Sequence, residues 1–192
     1  MEKPPVTLIE GGLGSGKTTI AVAKIVDAYN KAIRLGQEPP RIFSNMHLYG
    51  VKYVYDPRLA LMVANLNNDL LTDGYQLIDE SYTTADATCQ SNGNRIVGWY
   101  AMGIRKRRMQ AIFVAQHGRF LNWRIRFLMK ERILACGFNK QTKYVKCIIS
   151  DLEKQTDRTV SFYAPNYWPY YDTNELPEIP MENNRRAQAW VS

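Results

Sequence analysis

The stretch Gly11-Gly12-Leu13-Gly14-Ser15-Gly16-Lys17-Thr18-Thr19 follows directly on the apolar run Val6-Thr7-Leu8-Ile9, and no other feature narrows the possible folds of this chain as far. Its spacing, Gly11-x-x-x-x-Gly16-Lys17-Thr18, is that of a phosphate-binding loop. The glycines let successive backbone N–H groups turn inward around an anion. Lys17 can reach the outer phosphates, and the Thr18 hydroxyl can ligate Mg²⁺. A helix beginning near Lys17 adds the positive end of its dipole. At average glycine usage, a chance match in a chain of this length is about a 1% event. A glycine-rich surface loop is the bland alternative, but here a strand-like run precedes the motif and an amphipathic helix follows it. Residues Gly11 to Thr19 are therefore expected to hold a nucleotide, with ATP and Mg²⁺ as the expected cofactors.

The rest of the chain alternates in the way such a loop requires. Val6–Glu10 reads as a buried strand. Lys17–Leu35 reads as a helix with Val22, Ile25, Val26, Tyr29 and Ile33 on one face, ended by Gly36 and Pro39-Pro40. Arg41–Asn45 reads as a second strand. Asp56-Pro57 starts another helix, and Tyr75–Ile78 is a further buried strand. Ser81–Asn94 is polar, Arg95–Arg108 has helical spacing, and Gln110–Ala115 is an apolar strand. Beyond it, Arg126–Cys136, Lys143–Asp151 and Thr159–Ala164 read as strands, with Thr156-Asp157-Arg158 as the turn between the last two. This pattern predicts an α/β fold with a central, mostly parallel sheet flanked by helices on both faces and a C-terminal β-hairpin. Residues 1–175 form the expected domain, and 176–192 a polar tail.

Ligands of such sheets bind at the carboxyl ends of the strands, where three polar features converge. The glycine loop follows the first strand, Asp79-Glu80 ends the strand Tyr75–Ile78, and Gln116 ends the strand Gln110–Ala115. Asp79 is placed to hold Mg²⁺ or its waters beside Thr18. Glu80 suits a different task, orienting and deprotonating an attacking water. A small-molecule kinase gains by excluding that water, so the Asp-Glu pair points to hydrolysis. Gln116 can hydrogen-bond both a γ-phosphate oxygen and the water. Hydrolysis also needs positive charge for the developing negativity of the phosphate. Arg108, and after it Arg105, are the first candidates to supply it to a neighbouring subunit. Arg124 and Arg126 are their rivals, and favourable charge at a helix C-terminus is the plainer explanation for several of these residues.

The formal net charge is +7, and its distribution matters more than its size. Residues 103–146 carry twelve Lys/Arg against one acid, Glu131, so the remainder of the chain is net acidic. Such a segment suggests a polyanionic partner. No run of about 18 apolar residues predicts a transmembrane helix, and the start Met-Glu-Lys-Pro-Pro does not read as a signal peptide. Cys89, Cys136 and Cys147 lie far apart, which predicts neither a disulfide framework nor a zinc site. His47 and His117 read as packing or surface residues, and Trp99 and Trp123 as core or interface residues. The aromatic pairs Phe162-Tyr163, Tyr167-Trp168 and Tyr170-Tyr171 are expected to pin the tail onto the domain, with stacking on nucleic-acid bases as the alternative.

Taken together, the phosphate loop, the strand ending Asp79-Glu80 and the strand ending Gln116 resemble the FtsK/HerA superfamily of ring-forming, DNA-pumping ATPases. Within it the chain is similar to the compact genome-packaging ATPases of membrane-containing icosahedral viruses and to the Zot-type proteins of filamentous phages. The segments RIFSNMHL (41–48), RKRRMQAIFVAQ (105–116), LNWRIRFL (121–128) and PYYDTNE (169–175) carry the likeness, which covers about residues 6–175. The resemblance implies an ATPase that moves double-stranded DNA through a ring of its own copies, a hexamer in the family. It implies a capsid or portal-vertex protein as a further partner, and a place in the host cytoplasm or at the packaging vertex of the virion. Two other readings stay open on the residues alone: a nucleoside-type small-molecule kinase, and a Zot-like assembly protein that binds nucleotide without acting as a motor.

Overall fold

The computed structural model describes residues 6–55, 72–81, 103–104 and 106–175. Among these residues eight strands form one sheet: β1 (Val6–Glu10), β2 (Arg41–Ser44), β3 (Val54–Tyr55), β4 (Gly74–Ile78), β5 (Gln110–Ala115), β6 (Glu131–Phe138), β7 (Tyr144–Asp151) and β8 (Thr156–Tyr163). Their order is β3-β2-β4-β5-β1-β6-β7-β8. Neighbours from β3 through β6 run parallel, and β6-β7-β8 is an antiparallel meander. The expected mostly parallel α/β sheet with its C-terminal hairpin is the fold of the protein.

Every residue of β1 and β4 is buried, as a parallel strand covered on both faces requires. The face of Ile9, Leu77, Ile112 and Ile133 packs against helix α1 (Lys17–Arg34) through Ile20, Ala21, Ile25 and Val26. The opposite face, with Leu8, Phe43, Ala111 and Phe113, packs against Leu121 and against Ile125 of helix α2 (Trp123–Leu128). Among the described residues no helix is long and apolar enough to cross a membrane.

Two local expectations are corrected. Arg126–Leu128 belong to α2, and β6 begins only at Glu131. The β-prone residues there are recruited into a helix because Asn122 caps it, accepting the Arg124 N–H at 3.0 Å. Thr156-Asp157-Arg158 lie inside β8, paired with Asp151, Ser150 and Ile149. The turn falls at 152–155 instead, where the Asp151 carboxylate accepts the N–H groups of Glu153 and Lys154 and Gln155 adopts φ 52°. Burial is not the cause here, since Asp151 is held by its own turn.

A bulge in β6 matters for the site. Ala135 pairs with Cys147, yet Gly137 pairs with Lys146, so Cys136 is the extra residue. After the bulge Phe138 pairs with Val145 and joins the face that packs on α1. Without the extra residue the period-two alternation of the strand would send Phe138 to the other face.

The helix expected from Asp56-Pro57 lies outside the described residues. So do the stretch beyond Ser81, most of the helix expected over Arg95–Arg108, Arg105, Cys89, Trp99 and the tail from 176.

Candidate functional site

Between β1 and α1 the chain makes the turn that the glycine spacing predicts. Gly11 sits at φ 154° and Gly16 at φ 90°. A Cβ on Gly11 would lie 2.7 Å from the Ala135 carbonyl oxygen, and one on Gly16 2.8 Å from a Val145 methyl. Only glycine lets the loop pass so close to β6 and β7. The N-terminus of α1 has no side-chain cap and no acidic residue in its first turn. Its unpaired N–H groups and dipole are therefore available to an anion. The Ser15 hydroxyl is buried with no hydrogen-bond partner, and the buried Lys17 donates its ammonium across the loop to the Gly12 carbonyl at 2.9 Å.

The second half of the site comes from β4. The Thr18 hydroxyl donates to Asp79 Oδ2 at 3.0 Å, bridging the loop and the strand end. Asp79 Oδ1 accepts the Glu80 N–H at 2.9 Å. Burial pushes the Asp79 carboxyl up to about 6, against the lowering effect of those two hydrogen bonds. A carboxylate held out of water beside a hydroxyl is a fit donor pair for a small divalent cation. Thr18 and Asp79 thus fit Mg²⁺.

The shifted Asp79 has a consequence for stability. In the unfolded chain the group ionises near its ordinary value of 3.8, and in the fold near 6. Protonated Asp79 therefore favours the folded chain below the lower value, and this contribution is lost as pH rises through the upper one. Asp79→Asn cannot ionise and escapes the loss. In chelator, its melting temperature is expected to exceed that of the unmodified chain by about 5–10 °C at about pH 8. The difference should shrink below about pH 5, and thermal melts at the two pH values measure it.

Asn45, at the end of β2, was not singled out by its sequence context. Its amide donates to the Asp79 carbonyl at 2.9 Å and accepts the Asp79 N–H at 2.8 Å. The buried side chain thus imitates a further strand pair beyond the ends of β2 and β4. Immediately after it, Glu80 adopts the left-handed conformation, φ 48°, a strained position that its neighbours must hold in place. Ser81 anchors the same turn from the other side, donating its hydroxyl to the Val114 carbonyl at 2.7 Å. Asn45→Ala is expected to cut turnover about 10-fold or more through misplaced Asp79 and Glu80, while changing nucleotide affinity much less. Separate measurement of kcat and of nucleotide binding checks this.

A cavity of about 670 Å³ runs along these groups. Asn45, Asp79 and Glu80 line it from the β2 and β4 side of the loop, Lys17, Thr18 and Thr19 line it from α1, and Phe138, with Trp168 beside it, lines it from the β6 side. Its outer wall is a strap formed by the segment after β8. Tyr171 shares a buried 2.6 Å hydrogen bond with the Thr19 hydroxyl. Tyr167 donates to the Asp27 carboxylate at 3.0 Å, and its own hydroxyl is pushed up to about 12 by burial and by that carboxylate. The Glu175 carboxylate accepts the His47 N–H at 3.0 Å. The tail aromatics thus pin the strap onto α1, the first of the two roles their pattern suggested.

Other candidates fall elsewhere. The Gln116 carbonyl accepts the Gly11 N–H at 3.3 Å, but its side chain is exposed and outside the cavity wall. Behind it, the buried Glu10 carboxylate accepts the Gly118 N–H at 2.5 Å and pairs with Arg132, fixing the turn that carries Gln116. Arg108 is bound to Asp73 through two contacts, at 2.5 and 2.8 Å. Both residues sit at the amino ends of β4 and β5, the edge of the sheet opposite the cavity. Arg108 therefore does not reach the site of its own chain. Arg124 lies over Trp123, 58% exposed, at 4.7 Å from the ring centroid.

Solved structures share this architecture. The N-terminal domain of zonular occludens toxin from Neisseria meningitidis matches with TM-score 0.67 at 12% identity, over 87% of this chain and 98% of that one. The DNA-packaging ATPase B204 from Sulfolobus turreted icosahedral virus matches with TM-score 0.56 at 12% identity, over 83% and 98%. The genome packaging NTPase B204 from Sulfolobus turreted icosahedral virus 2, in complex with ATP-gammaS, matches with TM-score 0.54 at 13% identity, over 83% and 97%. No family model matches the chain, and no curated relative does. At these identities the likeness is one of fold: the chain has the P-loop NTPase fold of the Zot-type and packaging proteins that its sequence resembles.

Proposed function

We propose that this chain is an ATPase that couples hydrolysis to the movement of double-stranded DNA, packaging a viral genome as a ring of its own copies, a hexamer by analogy with the family. The observation that carries hydrolysis is the 3.0 Å bridge from Thr18 to Asp79 with Glu80 next to it on the cavity wall. Loop N–H groups and the Lys17 ammonium hold the phosphates. Thr18 and Asp79 hold Mg²⁺, which supplies charge neutralisation at the phosphate oxygens. Glu80 accepts a proton from the attacking water. Gln116, whose carbonyl is bonded to the Gly11 N–H, senses the terminal phosphate. Because Arg108 lies on the far edge of its own sheet, its role is in a neighbouring copy's site, with Arg105, Arg124 and Arg126 as the other arginines able to serve there. DNA as the cargo is supported by the basic segment 103–146 and by the packaging function of the B204 proteins of the same fold. A capsid or portal-vertex partner, and residence in the host cytoplasm or at the packaging vertex, belong to the same proposal.

The test is ATP hydrolysis by the purified chain with and without double-stranded DNA, over a protein concentration range that spans its self-association. Turnover that rises with assembly and rises again with DNA supports the motor. Turnover indifferent to DNA favours the other reading left open by the sequence, an assembly protein that binds nucleotide without acting as a motor. Nucleotide binding without turnover at any concentration sinks the motor reading.

A further inference from the structure

We infer that Phe138 and Trp168 form the subsite for the nucleobase, an inference that rests on the nucleotide reading above. The sheet order fixes the direction in which a nucleotide must lie. The phosphate loop follows β1, with β5, β4 and β2 on one side of it and β6 on the other. Asp79, Glu80 and Asn45 come from the β4 and β2 side, so the terminal phosphate faces them. The nucleoside must then leave toward β6. There the cavity wall changes character, from carboxylates and an amide to the rings of Phe138 and Trp168. An aromatic wall at the nucleoside end suits a flat, weakly hydrated base, which stacks on either ring.

Two features of the chain build this wall. The Cys136 bulge turns Phe138 onto the cavity face, as bulges beside binding sites often re-aim a side chain. The strap brings Trp168 to within 6.3 Å of Phe138, ring centroid to centroid, at 65°. Hydrogen bonds from Tyr167 to Asp27 and between Tyr171 and Thr19, on either side of Trp168, hold the strap in place. Lys143, which is not part of the cavity wall, lies over the Trp168 ring at 5.9 Å. Trp168 nevertheless remains 37% exposed, more than a ring kept only for packing needs.

The experiment compares binding of ATP with binding of inorganic tripolyphosphate, which has the phosphates but no base, to the full chain and to Trp168→Ala and Trp168→Phe. Melting curves establish that each variant is folded. The expected result is that Trp168→Ala weakens ATP about 5- to 100-fold and leaves tripolyphosphate unchanged, while Trp168→Phe keeps most of the ATP affinity. Phe138→Leu, which retains an apolar side chain of similar bulk, should weaken ATP selectively in the same way. Unchanged ATP affinity in Trp168→Ala and Phe138→Leu overturns the inference. Equal loss of both ligands also overturns it, since the residues would then shape the phosphate site instead. Failure of the unmodified chain to bind either ligand removes the nucleotide reading itself, a different outcome from the other two.

Discussion

Replacing Glu80 by Gln is expected to lower ATP turnover about 10²- to 10⁴-fold while leaving ATP binding within a few-fold of the unmodified chain. The substitution keeps the volume and hydrogen-bonding length of the side chain but removes its ability to take a proton. In the proposed function the phosphates are held elsewhere, by the loop amides, Lys17 and Thr18, so affinity should survive. The strained backbone at φ 48° is set by Asn45 and Ser81 and does not depend on the Glu80 carboxylate. Paired measurements of equilibrium ATP binding and of steady-state phosphate release decide the matter. Retained turnover in Glu80→Gln would mean that another group activates the water.

Lys17→Ala should act on the opposite term. The ammonium is buried and held over the loop by the Gly12 carbonyl, an acceptor that a phosphate oxygen can outcompete. A charge-assisted hydrogen bond of this kind contributes about 1.5–3 kcal/mol, so ATP affinity should fall roughly 10- to 150-fold. The fold should hold, because among the described residues Lys17 makes no ion pair across the sheet and the helix loses no cap with it. Titration of ATP by calorimetry, beside a thermal melt, separates the two effects. A variant that melts normally and binds ATP as before would refute the assignment of the loop.

What could be read from the residues alone was local. The phosphate loop is contiguous, and Asp79 and Glu80 announce themselves as acids at the end of the strand Tyr75–Ile78. Asn45 gave no such signal, because its two partners are the backbone of a residue 34 positions later. The aromatic wall was hidden for the same reason: Tyr171 meets Thr19 across 152 positions. Where local signals failed outright, one side chain tipped the balance. Asn122 turned β-prone residues into a helix, and Asp151 drew a turn back from 156–158 to 152–155 by gathering two N–H groups. The arginines are the least legible: Arg108 is taken up by Asp73 at the far edge of the sheet, and Arg105 lies outside the described residues.

The cavity draws its walls from Leu13 at one end of the sequence to Glu175 near the other. A growing chain therefore offers ATP no complete pocket until the strap has been synthesised and laid across α1. Nucleotide present during folding cannot speed the early pairings of the sheet, whose long sequence separations make them slow. It acts only afterwards, by stabilising the finished fold in proportion to its concentration. On the proposed function, ATP would favour copies whose last segment has docked over those whose sheet is complete but still open.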